Sequence, residues 1–436
     1  MNKNMLQAKE TAEYYIESAK AQYIRSVYNK GIDEKEDIHI EQYSDAIILP
    51  VRCFEDRGIT RGLCGVIDDR EKYVESSAIS NLFQGSYHPE TVIESDNSAM
   101  FLGCDHSHWG HFLMNVVPRV WPIVKKMMSA DEYIIIRNEN SNDAGLLRNE
   151  NIFFEILGCA DKVKVITKPT KYRKVFVPEI SYSNLKYLGT KTDVGFYHHY
   201  FRDSFDFVKT VALKRKFEIT EKLQDKIFFS IKGKKYEALN LFFQKNGYSI
   251  IFAEEIDLYE LVHILHSAKK IAYMSGTLNH NLLFGPDGIE VIALERRIMV
   301  SIFQLDVDMI KNLRVTYVNA QYSFIPWKKT EAQIVAFTND FICFAAENKM
   351  VLDLSENRSE YLHNAISLFI TKYTWDESWN YKDSPTYEYY LDSLEQDIEE
   401  LSSIINENLK IDNQTSMREI VYWKKYIENL KIIICK

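Results

Sequence analysis

The spacing of apolar side chains along this chain changes period repeatedly, and each change marks a predicted element. Residues 5 to 30 read as a lone helix, closed by the acidic Asp33-Glu34-Lys35-Glu36-Asp37 break. Ile38-His39-Ile40 and Ala46-Ile47-Ile48-Leu49-Pro50 read as strands, so residues 1–64 are expected to form an N-terminal helix with capping strands. From Gly65 to Phe101 short β-like runs alternate with polar turns. Phe112, Val116, Val120, Ile123 and Met127 then mark a helix that Pro118 and Pro122 should kink. Strand-like runs at 133–136, 163–166 and 175–178 frame a helix from Asn151 to Leu157 that ends at Gly158.

A second alternation starts at Lys226, with strands at 226–231, 248–252, 270–274 and 290–294 and helices at 237–244 and 258–267. Strands alternating with helices predict an α/β chain of two Rossmann-like domains, 65–225 and 226–330, each binding ligand at the carboxyl ends of its parallel strands. The stretch from Asn184 to Lys226, with Tyr197-His198-His199-Tyr200 on a long helical segment, would bridge them. Residues 331–436 form an extension. There Leu391, Leu394, Ile398, Leu401 and Ile405, and then Ile420, Trp423, Ile427, Leu430 and Ile434, recur at helical spacing on either side of Asp412-Asn413-Gln414-Thr415. Ser416 and Glu419 make a capping box, so a C-terminal helical hairpin is expected, either packed on its own protein or serving homo-oligomer formation.

Composition narrows the class. The chain has 436 residues, 46% hydrophobic and 26% charged, enough for two cores. With 53 Lys+Arg against 62 Asp+Glu the net charge is -9, which argues against a nucleic-acid partner. No apolar run of signal-peptide type opens the chain and no window reaches membrane-span length, so the expectation is cytoplasmic, with peripheral association at the inner face of a membrane left open. The cysteines, Cys53, Cys64, Cys104, Cys159, Cys343 and Cys435, are scattered and suggest reduced thiols. The 27 Tyr and 24 Phe suit sugar-stacking surfaces or an aromatic-rich core equally.

Candidate chemistry sits in two stretches. In Asp105-His106-Ser107-His108-Trp109-Gly110-His111 three imidazoles crowd the start of an apolar helix. If that helix begins near Trp109, His108 and His111 are about one turn apart and face one way. A neutral imidazole can take a proton from a hydroxyl and Asp105 could fix its tautomer, which makes His111 or His108 a general base and Asp105 its orienter. Two other uses fit: a zinc site, although H-x-H-x-x-H lacks a clear fourth ligand, or histidines that cap the helix. Arg119, about two turns on, would meet a phosphate or neutralise a buried acid.

In the second stretch, Met274 to Phe284, a glycine turn joins an apolar strand to a helix start, whose unpaired N–H groups favour phosphate. Thr277, Asn279, His280 and Asn281 add hydrogen-bonding side chains around Gly276; an ordinary strand-to-helix turn is the alternative. Glu295, just past a strand, suits ribose hydroxyls or an ion pair with Arg296 or Arg297. Lys232, Lys234 and Lys235 offer cations to a diphosphate or form a solvated loop. Asp306-Val307-Asp308 has the form of a metal-binding D-x-D, but its place before a helical run favours helix capping.

Together these residues resemble the glycosyltransferase family 61 pattern, in which H-F-L-x-[DE]-x-L-P-R-L is matched later by G-x-H-G-A-G-L-x-N-x-L-F-x-P-x-G. The run His111 to Val120 fits the first and Ser275 to Gly288 the second, and the similarity spans Gly65 to Tyr317, with Leu157-Gly158 and Asn240 inside it. The resemblance implies a two-domain GT-B architecture facing a cleft, an inverting mechanism, no metal, and a nucleotide-sugar donor held mainly by the second half. No cofactor beyond that co-substrate is expected. Donor-side residues would be Gly276, Thr277, Asn279, His280, Asn281, Lys232, Asn240, Glu295 and Arg119. The chain departs from the pattern twice. The family acid is Asn115 here, which leaves the base role to His111, His108 or Asp105. The family histidine is Ser275, so either His280 supplies an imidazole or the donor chemistry is altered or absent. The activity expected is sugar transfer to a hydroxyl of a glycan or glycolipid acceptor in bacterial capsule or lipopolysaccharide synthesis. The rival is a catalytically inactive scaffold or regulatory subunit; a hydrolase ranks third, since no G-x-S-x-G or paired carboxylate supports it.

Overall fold

The computed structural model describes residues 5–6, 12–16, 18–56, 59–80, 82–142, 145–184, 195–215, 225–233, 236–295, 300–322, 334–335 and 337–352. The expected C-terminal hairpin, together with Lys234, Lys235, Arg296, Arg297 and Cys435, lies outside the described residues.

The first part of the chain forms β1 (Glu13–Tyr15), α1 (Ser18–Lys30), β2 (Ile40–Asp56), β3 (Ile59–Ile67), β4 (Ile93–Cys104), β5 (Glu132–Ile136), α2 (Arg148–Leu157), β6 (Val163–Ile166), β7 (Thr170–Pro178) and α3 (His199–Lys214). There follow β8 (Lys226–Ser230), α4 (Glu237–Lys245), β9 (Tyr248–Phe252), α5 (Leu258–Ser267), β10 (Lys270–Met274), β11 (Glu290–Glu295), α6 (Ile302–Ile310), β12 (Arg314–Asn319) and α7 (Asn339–Glu347). Two six-stranded sheets result. The first has order β3-β2-β7-β4-β5-β6, antiparallel among β3, β2 and β7 and parallel from β7 to β6. The second has order β9-β8-β10-β11-β12-β1 and is parallel throughout. The chain is therefore mixed α/β with parallel-rich sheets, compatible with a Rossmann-like fold.

Burial on both faces explains why the second sheet reads as continuous apolar runs. Ile227, Phe229, Ile271, Tyr273, Val291 and Ala293 point into one core with α5 and α6. The alternate residues Phe228, Ala272, Met274, Ile292 and Leu294 meet α4 and α7. The first of these cores continues without interruption into the first half, through Phe201 and Phe205 of α3 to Phe112, Phe153 and Leu102. Helix α2 ends where expected, at Gly158 in the left-handed conformation (φ 72, ψ 29).

Four expectations are corrected. Residues 5 to 30 are not one helix: Tyr14 and Tyr15 favour extended backbone, and β1 pairs in parallel with Thr316–Val318 on the edge of the second sheet, leaving only α1 helical. The first 64 residues accordingly divide, since β2 and most of β3 form an edge hairpin of the first sheet. The helix after His108 is broken and not merely kinked. Residues Trp109–His111 are α-helical, Phe112–Val116 widen to a π-turn, Val117–Arg119 tighten to a 3-10 turn and Trp121–Val124 are α-helical again. Pro118 and Pro122 lack the N–H groups that regular bonding to Met114 and Pro118 carbonyls requires. Asp306 and Asp308 cap nothing, because both are buried inside α6: Asp306 accepts from the Tyr182 hydroxyl at 2.7 Å and Asp308 from the Tyr28 hydroxyl at 3.1 Å and from Tyr317. Among the described residues Cys53, Cys64, Cys104, Cys159 and Cys343 are free thiols, and no helix is long and apolar enough to cross a membrane.

Candidate active site

The histidine segment leaves the carboxyl end of β4. Cys104 of β4 pairs with Ile136 of β5, so the next residues, Asp105 and Arg137, emerge side by side. Both are sealed from solvent, at 0% and 1% exposure. The Arg137 guanidinium donates to Asp105 through Nε at 2.9 Å and Nη2 at 2.6 Å, and to the Gly145 carbonyl at 2.6 Å. Glu150 lies 3.4 Å from the same guanidinium, and burial followed by the nearby Asp105 pushes its carboxyl up to about 8.

Asp105 also shapes the backbone. Its Oδ1 accepts the Ser107 N–H at 3.0 Å and its carbonyl accepts the His108 N–H at 3.0 Å, closing a turn in which His106 (φ 51) and Ser107 (φ 53) are both left-handed. Such residues cost roughly 1–2 kcal/mol each, and the buried ion pair beneath holds them there. Asp105 was expected to orient an imidazole. Its side-chain oxygens instead serve Arg137 and the Ser107 amide, so it builds the turn that carries the imidazoles.

That turn brings three histidines together: the rings of His106 and His108 lie 5.1 and 5.3 Å from that of His111. His108 caps the short helix, its Nδ1 accepting the Gly110 N–H at 3.2 Å. With Nδ1 an acceptor, the neutral ring carries its proton on Nε2, which leaves His108 a donor toward solvent and a poor base. His111 differs. Its Nδ1 lies 3.4 Å from the Asn115 amide nitrogen, Nδ2, one turn on. In that orientation the amide donates to Nδ1; rotated by a half-turn, it presents its oxygen, accepts Nδ1–H and leaves the Nε2 lone pair free, so Asn115, which the sequence marked only as a departure, sets the His111 tautomer by the end it presents. Burial, then the His106 and His108 imidazoles, lower His111 to about 4, and burial lowers His106 and His108 as well. His108 and His111 nonetheless remain open to solvent. Among the described residues, no group of three or more His, Cys, Asp or Glu is arranged to hold a metal.

The glycine segment leaves the second sheet at the place where ligands bind in doubly wound sheets. The strands β8 to β12 stand in the order 2-1-3-4-5, so the chain reverses its direction of winding between β8 and β10. Phe229 pairs with Tyr273, and Ile231-Lys232 and Ser275-Gly276-Thr277 therefore depart from that switch point as neighbours. Gly276 adopts φ 137, ψ -153, a region open essentially to glycine alone. The Ser275 N–H donates to the Leu294 carbonyl at 2.8 Å, and Thr277–Phe284 wind as a 3-10 helix. Thr277 is exposed, Asn279 is buried with its Nδ2 unpartnered, and burial followed by His111 and His108 lowers His280 to about 3.

Other sequence-selected residues are engaged elsewhere. Lys232 is exposed, but its ammonium pairs with Glu255 and its N–H donates to Glu254 at 3.0 Å, which turns it toward the loop after β9. Asn240 of α4 accepts from the Ser230 hydroxyl at 2.6 Å, beside the switch point. Glu295 is 1% exposed and accepts from Gln304 at 2.9 Å, so its carboxyl is closed to a ribose in this conformation. Arg119, expected to meet a phosphate or a buried acid, donates to the carbonyls of Ser76 and Ala78 at 2.8 Å each and fastens that loop to the broken helix. Two buried polar residues at this edge escaped the sequence reading. Gln304 holds Glu295, and Lys20 of α1 donates to Asn319 at the end of β12, at 3.3 Å. No local spacing announces them.

The two segments touch. Trp109 Nε1 donates to Asn281 Oδ1 at 2.8 Å, and the indole stacks on Phe112 and Phe284 with ring centroids 5.3 and 6.3 Å away. Gly110 lies against Thr277 and His280. The contact has an apolar floor, Phe112, Phe205 and Phe284, and a polar rim of His108, His111 and Thr277. It brings Gly110, the neighbour of His111, against Thr277, the neighbour of Gly276. Compared with known proteins, the chain matches no family model and no curated protein.

Proposed function

We propose that this chain is an inverting glycosyltransferase of GT-B type, moving a sugar from a nucleotide-sugar donor to a hydroxyl of a glycan or glycolipid acceptor in bacterial surface polysaccharide synthesis. The observation that carries this reading is the contact between the imidazole turn of the first sheet and the Gly276 turn at the switch point of the second. The resemblance to glycosyltransferase family 61 supplies the chemistry assigned to it. His111 Nε2 takes the acceptor proton, Asn115 holds the ring, and the amides after Gly276 receive the diphosphate, with His280 beside them. In-line attack places the acceptor oxygen opposite the departing diphosphate, and positioning supplies much of the acceleration.

His111→Ala is expected to lower turnover at least about a hundredfold with nucleotide affinity unchanged within about threefold. Turnover near wild type removes His111 from the base role. The engagement of Lys232, Arg119 and Glu295 in protein contacts favours a second reading, an inactive glycosyltransferase-like scaffold. A thermal-shift panel of nucleoside diphosphates separates the two: at a hundredfold excess over Kd a ligand adds about 2.7 kcal/mol of stability, whereas a scaffold with a dead donor site is silent to the whole panel.

A further inference from the structure

We infer that Gly110 is a positioning residue that sets the separation between the two half-sites, an inference that rests on the transferase reading. Gly110 is helical and has no left-handed backbone to explain a glycine. What it lacks is room: a Cβ there would stand 2.5 Å from Thr277 Cγ2, 2.9 Å from Thr277 Cβ and 3.2 Å from His280 Nδ1. Thr277 is the first residue after the Gly276 turn and Gly110 immediately precedes His111, so any side chain at 110 wedges the phosphate-facing turn away from the base. Real Cβ atoms essentially never come within 3.0 Å of such atoms, and Thr277 Cβ is fixed to its backbone, so the segments themselves must part.

Trp109 holds the same joint from the other side. Its indole N–H reaches Asn281, and its ring is stacked between Phe112 and Phe284. The Trp109-Gly110 pair thus works as a tether plus a spacer-free contact. Group transfer is steep in such distances, since a misplacement of about 1 Å costs on the order of a hundredfold in rate.

The experiment compares wild type, Gly110→Ala, Thr277→Ser and the double variant. Nucleotide affinity is read by calorimetry with UDP, GDP, CDP and TDP, and turnover by diphosphate release from their sugar esters with a pool of oligosaccharide acceptors. Unfolding midpoints control for folding. Gly110→Ala is expected to bind nucleotide within about threefold of wild type and turn over roughly 30 to 100 times more slowly. Thr277→Ser keeps the hydroxyl and removes the atom at 2.5 Å, the more severe of the two approaches, while Cβ at 2.9 Å stays, so the double variant should recover in part, by at least about threefold over Gly110→Ala. Gly110→Ala turning over within threefold of wild type, a double variant with no recovery, or equal loss of binding and turnover overturns the spacing role while leaving the transferase reading in place. Should Gly110→Ala fail to fold, Trp109→Phe keeps the stack and loses only the tether, and its unchanged turnover likewise counts against the joint. Wild-type protein that neither binds nucleotide nor cleaves a sugar ester, or binds without cleaving, overturns the transferase reading itself.

Discussion

At the scale of single residues, the site turns on His111 and its ring partner. A base held at about 4 is fully neutral at pH 7, so activity should fall on the acid side only as pH drops through about 4 and not near 6.5. Asn115→Asp would place a carboxylate beside Nδ1 and favour the imidazolium, so the acid limb of kcat/KM against pH should move up by about one unit or more. A limb that stays put would separate Asn115 from His111. Gly276→Ala forces a β-carbon into the glycine-only region and should cost on the order of 1–3 kcal/mol in urea unfolding as well as weaken nucleotide affinity. The histidines and Gly276 were legible in the sequence for local reasons: three imidazoles in so short a run exceed what capping one helix requires, and a glycine between an apolar strand and polar residues marks a tight turn. The protein partners of Asp105, Arg119 and Glu295 were not legible, because which partner a charged side chain meets is set by packing between elements: Arg137 beyond β5 for Asp105, the Ser76 and Ala78 carbonyls for Arg119, and Gln304 of α6 for Glu295.

At the scale of elements, the Asp105–Arg137 pair converts the register of β4 and β5 into the shape of the histidine turn. Arg137→Ala leaves Asp105 buried and unpaired, and a loss of at least about 3 kcal/mol is expected in urea unfolding. Glu150→Gln imitates the protonated acid that burial favours at pH 7 and should change stability there by less than about 1 kcal/mol. Comparable losses in the two variants would show that Glu150 is held ionised. Four strands of the second sheet, β8 to β11, matched their expected limits to within about a residue, because burial on both faces leaves unbroken apolar runs between polar turns, whereas β12, whose Arg314, Thr316 and Asn319 interrupt the apolar run, was not expected. β1 was missed because pairing with β12 overrides the helical pattern around it, and the helix after His108 was drawn as continuous because its apolar spacing persists through the breaks at Pro118 and Pro122.

At the scale of the whole molecule, buried titratable groups pull stability in opposite directions with pH. His280 and His111 resist protonation until about 3 and 4, whereas the unfolded imidazole protonates near 6.5, so their contribution is complete above pH 6.5 and is lost as pH falls below it. Asp306 and Asp308, raised by burial to about 7, and Glu150, raised to about 8, keep protons that the unfolded chain releases near pH 4; their contribution is complete below that and is lost as pH rises through 7 to 8. Above about pH 6.5 only the carboxyls still change, so the urea midpoint should fall between about pH 6.5 and 8 and fall less in Glu150→Gln. A flat profile in wild type would contradict this distribution of protons.

The most direct measurement is a crystal structure of the wild-type protein with a nucleoside diphosphate bound. The phosphates are expected within about 3 Å of the backbone amides that follow Gly276, on the side of the turn that His111 faces. A nucleotide seated at another edge of the sheets, or a Gly276 turn left empty beside saturating nucleotide, would contradict the pairing of the two half-sites.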